Sequence, residues 1–220
     1  MKHIALLTTL LLSASLQAVE KPYDYVFFEN SLMKGDYFYS QAKYTSPSWI
    51  KNARHHLPVA GSVAFTPGNS LELTYVSAPG GDWYSEIQYC PVRGNDFFRE
   101  PSTLSLQVQL RESMDAAALP NIAIRYADST YTQYLNLRNY LKDTRPGVWH
   151  SVSIPLKDFG LNAVNDTNIK KLAAVALRPG TADGNEYTIY LDDIELLPAS
   201  LPSVSTLNAP VLQEAKDRKS

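Results

Sequence analysis

The chain reads as an all-β protein, an antiparallel β-sandwich, and three observations predict it. Apolar and polar residues alternate with period two in segment after segment. The clearest is Leu104 to Leu110, LSLQVQL, where Leu104, Leu106, Val108 and Leu110 face one way and Ser105, Gln107 and Gln109 the other. About eight such segments recur at intervals of about ten to twenty residues, with turn signals between them. Helical periodicity is almost absent: only Ile169 to Leu172, behind a capping Thr167 or Asn168, reads as a helix, a turn or so long.

The elements follow in order. Tyr23 to Phe28 opens with a strand, and Gly35 and Asp36 break the pattern before Tyr37, Phe38 and Tyr39. Pro47 to Pro58, PSWIKNARHHLP, reads as a long ordered loop anchored by Trp49. Leu71 to Val76 alternates, and Trp83 to Cys90 follows a Gly80-Gly81 turn. Ile122 to Tyr126 and Tyr131 to Leu137 flank a turn at Asp128 and Ser129, as in a hairpin. Trp149 to Leu156 and Ala173 to Leu177 are two further strands.

Tyr187 to Leu197, YTIYLDDIELL, is the last strand and holds the chain's main local conflict. Its residues are β-branched or aromatic, a GTADGN turn precedes it and Pro198 stops it. Asp192 and Asp193 sit in its middle. On a regular strand they point to opposite faces, so at least one is expected to be partly buried, which is costly without a cation or hydrogen-bond donors.

Composition bounds the function. The formal net charge is −2, so no charge excess points to nucleic acid or to an acidic membrane surface. Residues 1–18 read as an export leader: Lys2 and His3 form a basic start, and Ile4 to Leu12 is an apolar run too short to span a membrane. Small and polar residues then lead to a cut after Ala18, and the expected location is the periplasm or the medium. The sandwich is expected over 19–198 and a small, polar, Pro-punctuated tail over 199–220. Cys90 is the only cysteine, which excludes an intrachain disulfide, and its place at the end of an apolar strand fits a packed thiol.

The 14 tyrosines, 7 phenylalanines and 3 tryptophans fit either an all-β core with amphipathic rims or a surface for stacking sugars. Sugar binding needs flat aromatic faces with amides and charges nearby. One set is loop-based: Trp49, Arg54, His55 and His56, with Asp82, Trp83 and Tyr84. The other is a polar sheet face: Gln107, Gln109, Arg125, Tyr134, Asn136 and Arg138. Trp149, at the start of a strand, reads as core. A glycosidase would need two facing carboxylates, and no spacing singles out a pair among Glu72, Asp82, Glu86 and Glu100. A lyase could draw on His150, Tyr134 and Arg138, but no lyase motif accompanies them. The adjacent His55-His56 pair lacks metal-ligand spacing.

Three segments, IYLDDIEL (189–196), GVWHSVSIPLKDF (147–159) and SAPGGDWYSEI (77–87), together with the early FFENSLMKGDYFYS, resemble jelly-roll carbohydrate-binding modules of the galactose-binding-like superfamily. Such modules are noncatalytic domains attached to secreted bacterial glycosidases, and the resemblance covers residues 22–198. It implies a galactose-binding-domain-like jelly roll, a polysaccharide or oligosaccharide partner and an associated glycoside hydrolase. It also implies a structural calcium between an early loop and the last strand. Glu29, with Asn30 or Asp36 as alternatives, and Asp192 or Asp193 would supply the oxygens. Two other readings stand beside it: a small jelly-roll polysaccharide lyase or glycosidase, and a structural or interaction domain that binds no sugar.

Overall fold

The computed structural model describes residues 25–90, 101–141, 143–161 and 171–198. The expected leader, the tail, Glu100, Thr167, Asn168 and the first half of the expected short helix, Ile169 and Lys170, lie outside these residues. Leu172, the last residue of that expected helix, instead begins a strand.

Among the described residues twelve strands form, in chain order: β1 (Tyr25–Phe28), β2 (Ser40–Thr45), β3 (Trp49–Ile50), β4 (Val59–Ala60), β5 (Ser70–Val76), β6 (Asp82–Gln88), β7 (Pro101–Leu110), β8 (Asn121–Tyr126), β9 (Leu135–Asn136), β10 (Trp149–Pro155), β11 (Leu172–Arg178) and β12 (Glu186–Pro198). They make two antiparallel sheets. The larger has seven strands in the order β10-β7-β12-β5-β3, with β1 paired to β12 and β4 to β5; the smaller has five in the order β2-β6-β11-β8-β9. Among the described residues the helical turns are 3-10, at Ala116–Ala118, Leu137–Asn139 and Leu156–Phe159, and Lys171 is 3-10 as well. No helix among them is long and apolar enough to cross a membrane.

The alternation places the core between the sheets. Leu71, Leu73, Leu104, Leu106, Val108, Ile189 and Leu191 point in from the larger sheet, and Ile122, Ile124, Val175 and Leu177 meet them from the smaller, all buried. Each such side chain contributes about 1.5–3 kcal/mol of burial. Cys90 is a packed thiol inside this core.

Two expectations need correction. The 47–58 stretch is not one loop: Trp49 and Ile50 pair with Val76 and Tyr75, and Ala53 bridges His56. The expected Tyr131–Leu137 strand shrinks to β9, because Asn136 caps a 3-10 turn by accepting the Arg138 N–H, which ends the extended run.

The aspartate pair in β12 also departs from the regular strand. The register against β7 shifts between Asp192 and Glu195, and Asp193 adopts a φ of 44°, so strict alternation is broken by a bulge. Both carboxylates then reach the same segment, residues 61–69. Asp192 Oδ2 accepts the N–H groups of Phe65 (2.8 Å) and Thr66 (3.3 Å), its Oδ1 accepts that of Asp193 (2.9 Å), and Asp193 Oδ1 accepts the Thr66 hydroxyl at 3.1 Å. Asp192 is fully buried. Burial, with the Asp193 charge beside it, pushes its carboxyl up to about 6, although the N–H bonds pull the other way. The far end of the same segment ties to the early loop: the Ser31 N–H donates to Asn69 Oδ1 at 2.9 Å, and Asn69 Nδ2 donates to Ser31 O at 2.8 Å.

Candidate functional site

The side chains that the core does not use stand on the outer face of the smaller sheet. On β6, Trp83, Ser85 and Ile87 point inward and Tyr84, Glu86 and Gln88 outward. The turn before this strand is built for a close approach. Gly80 has a φ of 83°, and a Cβ on Gly81 would lie 2.2 Å from the Ser48 nitrogen. Beyond that turn, Asp82 and Tyr84 enter the sheet at its end.

One cross-strand row crosses all five strands of this sheet. Lys43 on β2 pairs with Tyr84 on β6; the Arg178 guanidinium on β11 lies 5.8 Å from the centre of the Tyr84 ring; Arg178 pairs with Asn121 on β8, and Asn121 with Asn136 on β9. Four strand intervals make this row about 19 Å long. Arg178 lies between two rings, since the Tyr134 ring centre is 5.9 Å from its guanidinium on the other side. Its Nε donates to the Tyr134 hydroxyl at 3.2 Å, and its Nη1 lies 2.7 Å from Asp82 Oδ2.

The next row is an interlocked network. Ala123, Ala174 and Ala176 face outward by alternation yet are buried, so longer neighbours lie over them. Those neighbours converge on Glu86. Its Oε1 accepts the Tyr131 hydroxyl at 2.7 Å and lies 3.0 Å from Arg125 Nε, while Gln41 Nε2 donates to Oε2. The Arg125 Nε–H is not aimed for a hydrogen bond, so that contact is ionic. Burial, reinforced by the bond to Glu86, pushes the Tyr131 hydroxyl up to about 12 and keeps it a donor. The Tyr131 and Tyr134 rings stack with centroids 5.9 Å apart. The face thus offers three tyrosines, several amides and two ion pairs, a chemistry matched to sugar rings and hydroxyls.

The structure brings Asp82, Tyr84, Arg125, Tyr134 and Asn136 together on this face, merging halves of the two sets read from the sequence. It separates the rest. Trp83 is corrected to a core residue: it is 1% exposed, its Nε1 donates to Ser77 Oγ at 2.9 Å, and its ring packs 4.8 Å from that of Tyr75. A sugar cannot reach it. Trp49 is half-buried on the outer side of the larger sheet. Arg54 donates through Nε and Nη2 to Asp36 Oδ2, at 3.0 and 2.7 Å, and so serves a buried carboxylate. His55 acts through its backbone, whose carbonyl accepts the Ala42 N–H at 2.7 Å. Gln107 and Gln109 stand on the other sheet, and Arg138 is exposed on a 3-10 turn beyond β9. His150 is also on the larger sheet, so the lyase set with Tyr134 and Arg138 does not assemble. Trp149 is half-buried rather than core, with the Phe65 ring at 6.0 Å.

Gln41, Lys43, Glu86, Tyr131 and Arg178 were not singled out in the sequence. For Glu86 a signal existed: it shares the parity of Tyr84 on one strand.

The calcium donors are drawn to other partners. Asp192 accepts three N–H groups from the protein itself, and Asp36 is paired with Arg54. Among the described residues no group of three His, Cys, Asp or Glu side chains could hold a metal ion. One observation fits an ion: Asn30 Oδ1 is buried without a hydrogen-bond partner, and the Phe28↔Ile194 pairing leads Glu29 and Asn30 toward the bulge.

Comparison with known proteins gives a consistent picture. The profile of the family Carbohydrate binding domain 30 matches residues 24–197. An exo β-1,2-glucooligosaccharide sophorohydrolase (non-reducing end) of Parabacteroides distasonis is 97% identical over 216 residues, which cover 98% of this chain and 30% of that protein. The chain therefore spans less than a third of that relative. The crystal structure of a β-1,2-glucanase from Parabacteroides distasonis superposes with a TM-score of 0.81 at 97% identity, over 88% of this chain and 28% of that one. The family 30 carbohydrate-binding module of a cellulosomal cellulase of Clostridium thermocellum superposes with a TM-score of 0.56 at 16% identity, over 81% of this chain and 99% of that one, a likeness of fold.

Proposed function

We propose, for a chain that belongs to the Carbohydrate binding domain 30 family, that the outer face of its smaller sheet holds a β-linked glucan or glucooligosaccharide for a glycoside hydrolase. The observation that carries this reading is the cross-strand row from Lys43 to Asn136, with Arg178 between the Tyr84 and Tyr134 rings. Rings set along a sheet can stack on the apolar sides of successive sugars, while Asn121, Asn136 and the charged groups bond hydroxyls. The 97%-identical sophorohydrolase motivates the choice of a β-1,2-linked ligand and of a hydrolase as the associated activity. Export through the 1–18 leader belongs to the same proposal.

Affinity electrophoresis through gels containing β-1,2-glucan tests it. Tyr84→Ala removes one stacking face and should weaken retardation about tenfold or more. Trp49→Ala, on the other sheet, should leave it unchanged. The opposite pattern moves the site to the outer side of the larger sheet around Trp49, and no retardation of any variant leaves the non-binding structural domain as the better reading.

A structural calcium is a separate proposal, with Glu29, Asn30 and Asp193 as its candidate ligands. It predicts a higher melting temperature when calcium is returned to chelator-treated protein. An unchanged melting temperature removes it.

A further inference from the structure

A second row of rings and polar groups crosses the outer face of the larger sheet, beside the 61–69 segment. Trp149 on β10 pairs with Gln109 on β7, Gln109 with Tyr190 on β12, and Tyr190 with Glu72 on β5. All four point outward, because residues of the opposite parity on the same strands, Val152, Leu110, Ile189 and Leu73, are buried in the core. Three strand intervals make the row about 14 Å long. Lys51 continues it, with Nζ 2.6 Å from Glu72 Oε1. Phe65 stands at the Trp149 end, its ring 6.0 Å from the indole and at 68° to it.

These rings are not consumed by the fold. Phe65 holds its loop to Asp192 through the backbone N–H, and its side chain is 40% exposed. Val148, next to the half-buried Trp149, is 39% exposed. Apolar side chains left together in water mark a contact site. We propose that this row is a second, shorter glycan site, so that the domain holds two sugar chains, one on each outer face of the sandwich. The proposal takes its ligand class, a β-linked glucan, from the binding reading above and adds a site on the opposite sheet.

The geometry suits a sugar. Phe65 and Trp149 meet edge to face, so a pyranose ring can lie on one with its rim against the other. Tyr190 offers a further face two strands from Trp149, about 10 Å away. Between them Gln109 supplies an amide, held beside Trp149 by its Nε2 donating to Gly147 O at 3.3 Å. Glu72 and Lys51 supply an acceptor and donors for hydroxyls. A protein surface laid over the rings would bury that amide and that ion pair, which is costly unless each finds a partner. Sugar hydroxyls bond them while leaving them wet. Trp49, on β3 at the other edge of the sheet, takes no part. The two sheets pack about 10 Å apart with the core between them, so a short oligosaccharide on one face cannot reach the other.

The test titrates the full chain with short β-1,2-glucooligosaccharides while following tryptophan emission, in wild type, Tyr84→Ala, Phe65→Ser and the double variant. Urea melts show that each is folded. Phe65→Ser removes an exposed ring and keeps the N–H that Asp192 accepts. The expected result is a saturable emission change in wild type and Tyr84→Ala alike, its midpoint raised about fivefold or more by Phe65→Ser. In gels containing β-1,2-glucan, the retardation that Tyr84→Ala retains should vanish in the double variant. Wild type retarded in the gel, with neither retardation nor an emission change left in Tyr84→Ala, overturns the inference and leaves the binding reading standing. So does an emission midpoint that Phe65→Ser leaves in place. No retardation and no emission change in any form overturns both.

Discussion

On the outer side of the smaller sheet the row from Lys43 to Asn136 stays open, whereas on the larger sheet the 61–69 segment lies over Asp192 and takes it out of water. Both faces come from the same alternation of apolar and polar residues. What separates them is whether chain folds back over the polar side. Covered, a carboxylate must be satisfied by backbone donors, and Asp192 becomes a latch for the loop. Open, a carboxylate pairs with a guanidinium in place, as Asp82 does with Arg178 beside the tyrosine rings. A carboxylate in an apolar strand therefore marks a cover as readily as a site.

Substitutions on the two faces should separate stability from retention, and the largest effect belongs to the covered one. Asp192→Ala leaves the N–H groups of Phe65, Thr66 and Asp193 without their acceptor, and should cost about 3–5 kcal/mol in urea unfolding. Folded protein of that variant should still be retarded by glucan. Loss of retention with full stability would break the contrast.

Next comes pH. The Asp192 carboxyl is raised from 3.8 to about 6, so the folded state holds its proton more tightly than the unfolded chain does. Its contribution to stability is full below pH 3.8, falls as pH rises through about 6, and is absent above; the gap corresponds to about 3 kcal/mol. Urea melts from pH 4 to pH 7.5 should therefore show wild type losing stability relative to Asp192→Asn. Parallel curves would show that the latch carboxyl titrates alike in both states. The smallest stability change is expected from Tyr84→Ala, within about 1 kcal/mol, because the ring is half-exposed on the open face.

Much of the architecture was legible because it is local. The alternation of Leu104 to Leu110 and the early apolar run of Tyr187 to Leu191 both predict strands that the structure contains. The short β3 and β4 were hidden, since two residues carry no periodicity and Pro47 and Pro58 spell a loop. The helix reading of Leu172 failed because pairing with Tyr126 holds it extended. At the site, Tyr84, Arg125 and Tyr134 stood out as chemistry, but their shared face depends on pairings between distant strands. Arg178 reaches Asp82 across 96 residues of sequence, and no window of residues shows that. Trp83 was decidable locally: it shares parity with Ile87 on β6, and the parity that buries Ile87 buries it too.

The placement of the indole side chains has a practical result. Trp83 points into the core, and Trp49 and Trp149 both belong to the larger sheet, so none of the 3 tryptophans stands on the tyrosine-lined face. Intrinsic tryptophan emission therefore reports unfolding of this domain while staying silent to a sugar docking against Tyr84 and Tyr134. A fluorescence titration with no signal change would not mean that nothing has bound. Ring-proton shifts of those tyrosines in NMR spectra, or heat measured by calorimetry, would register the event directly.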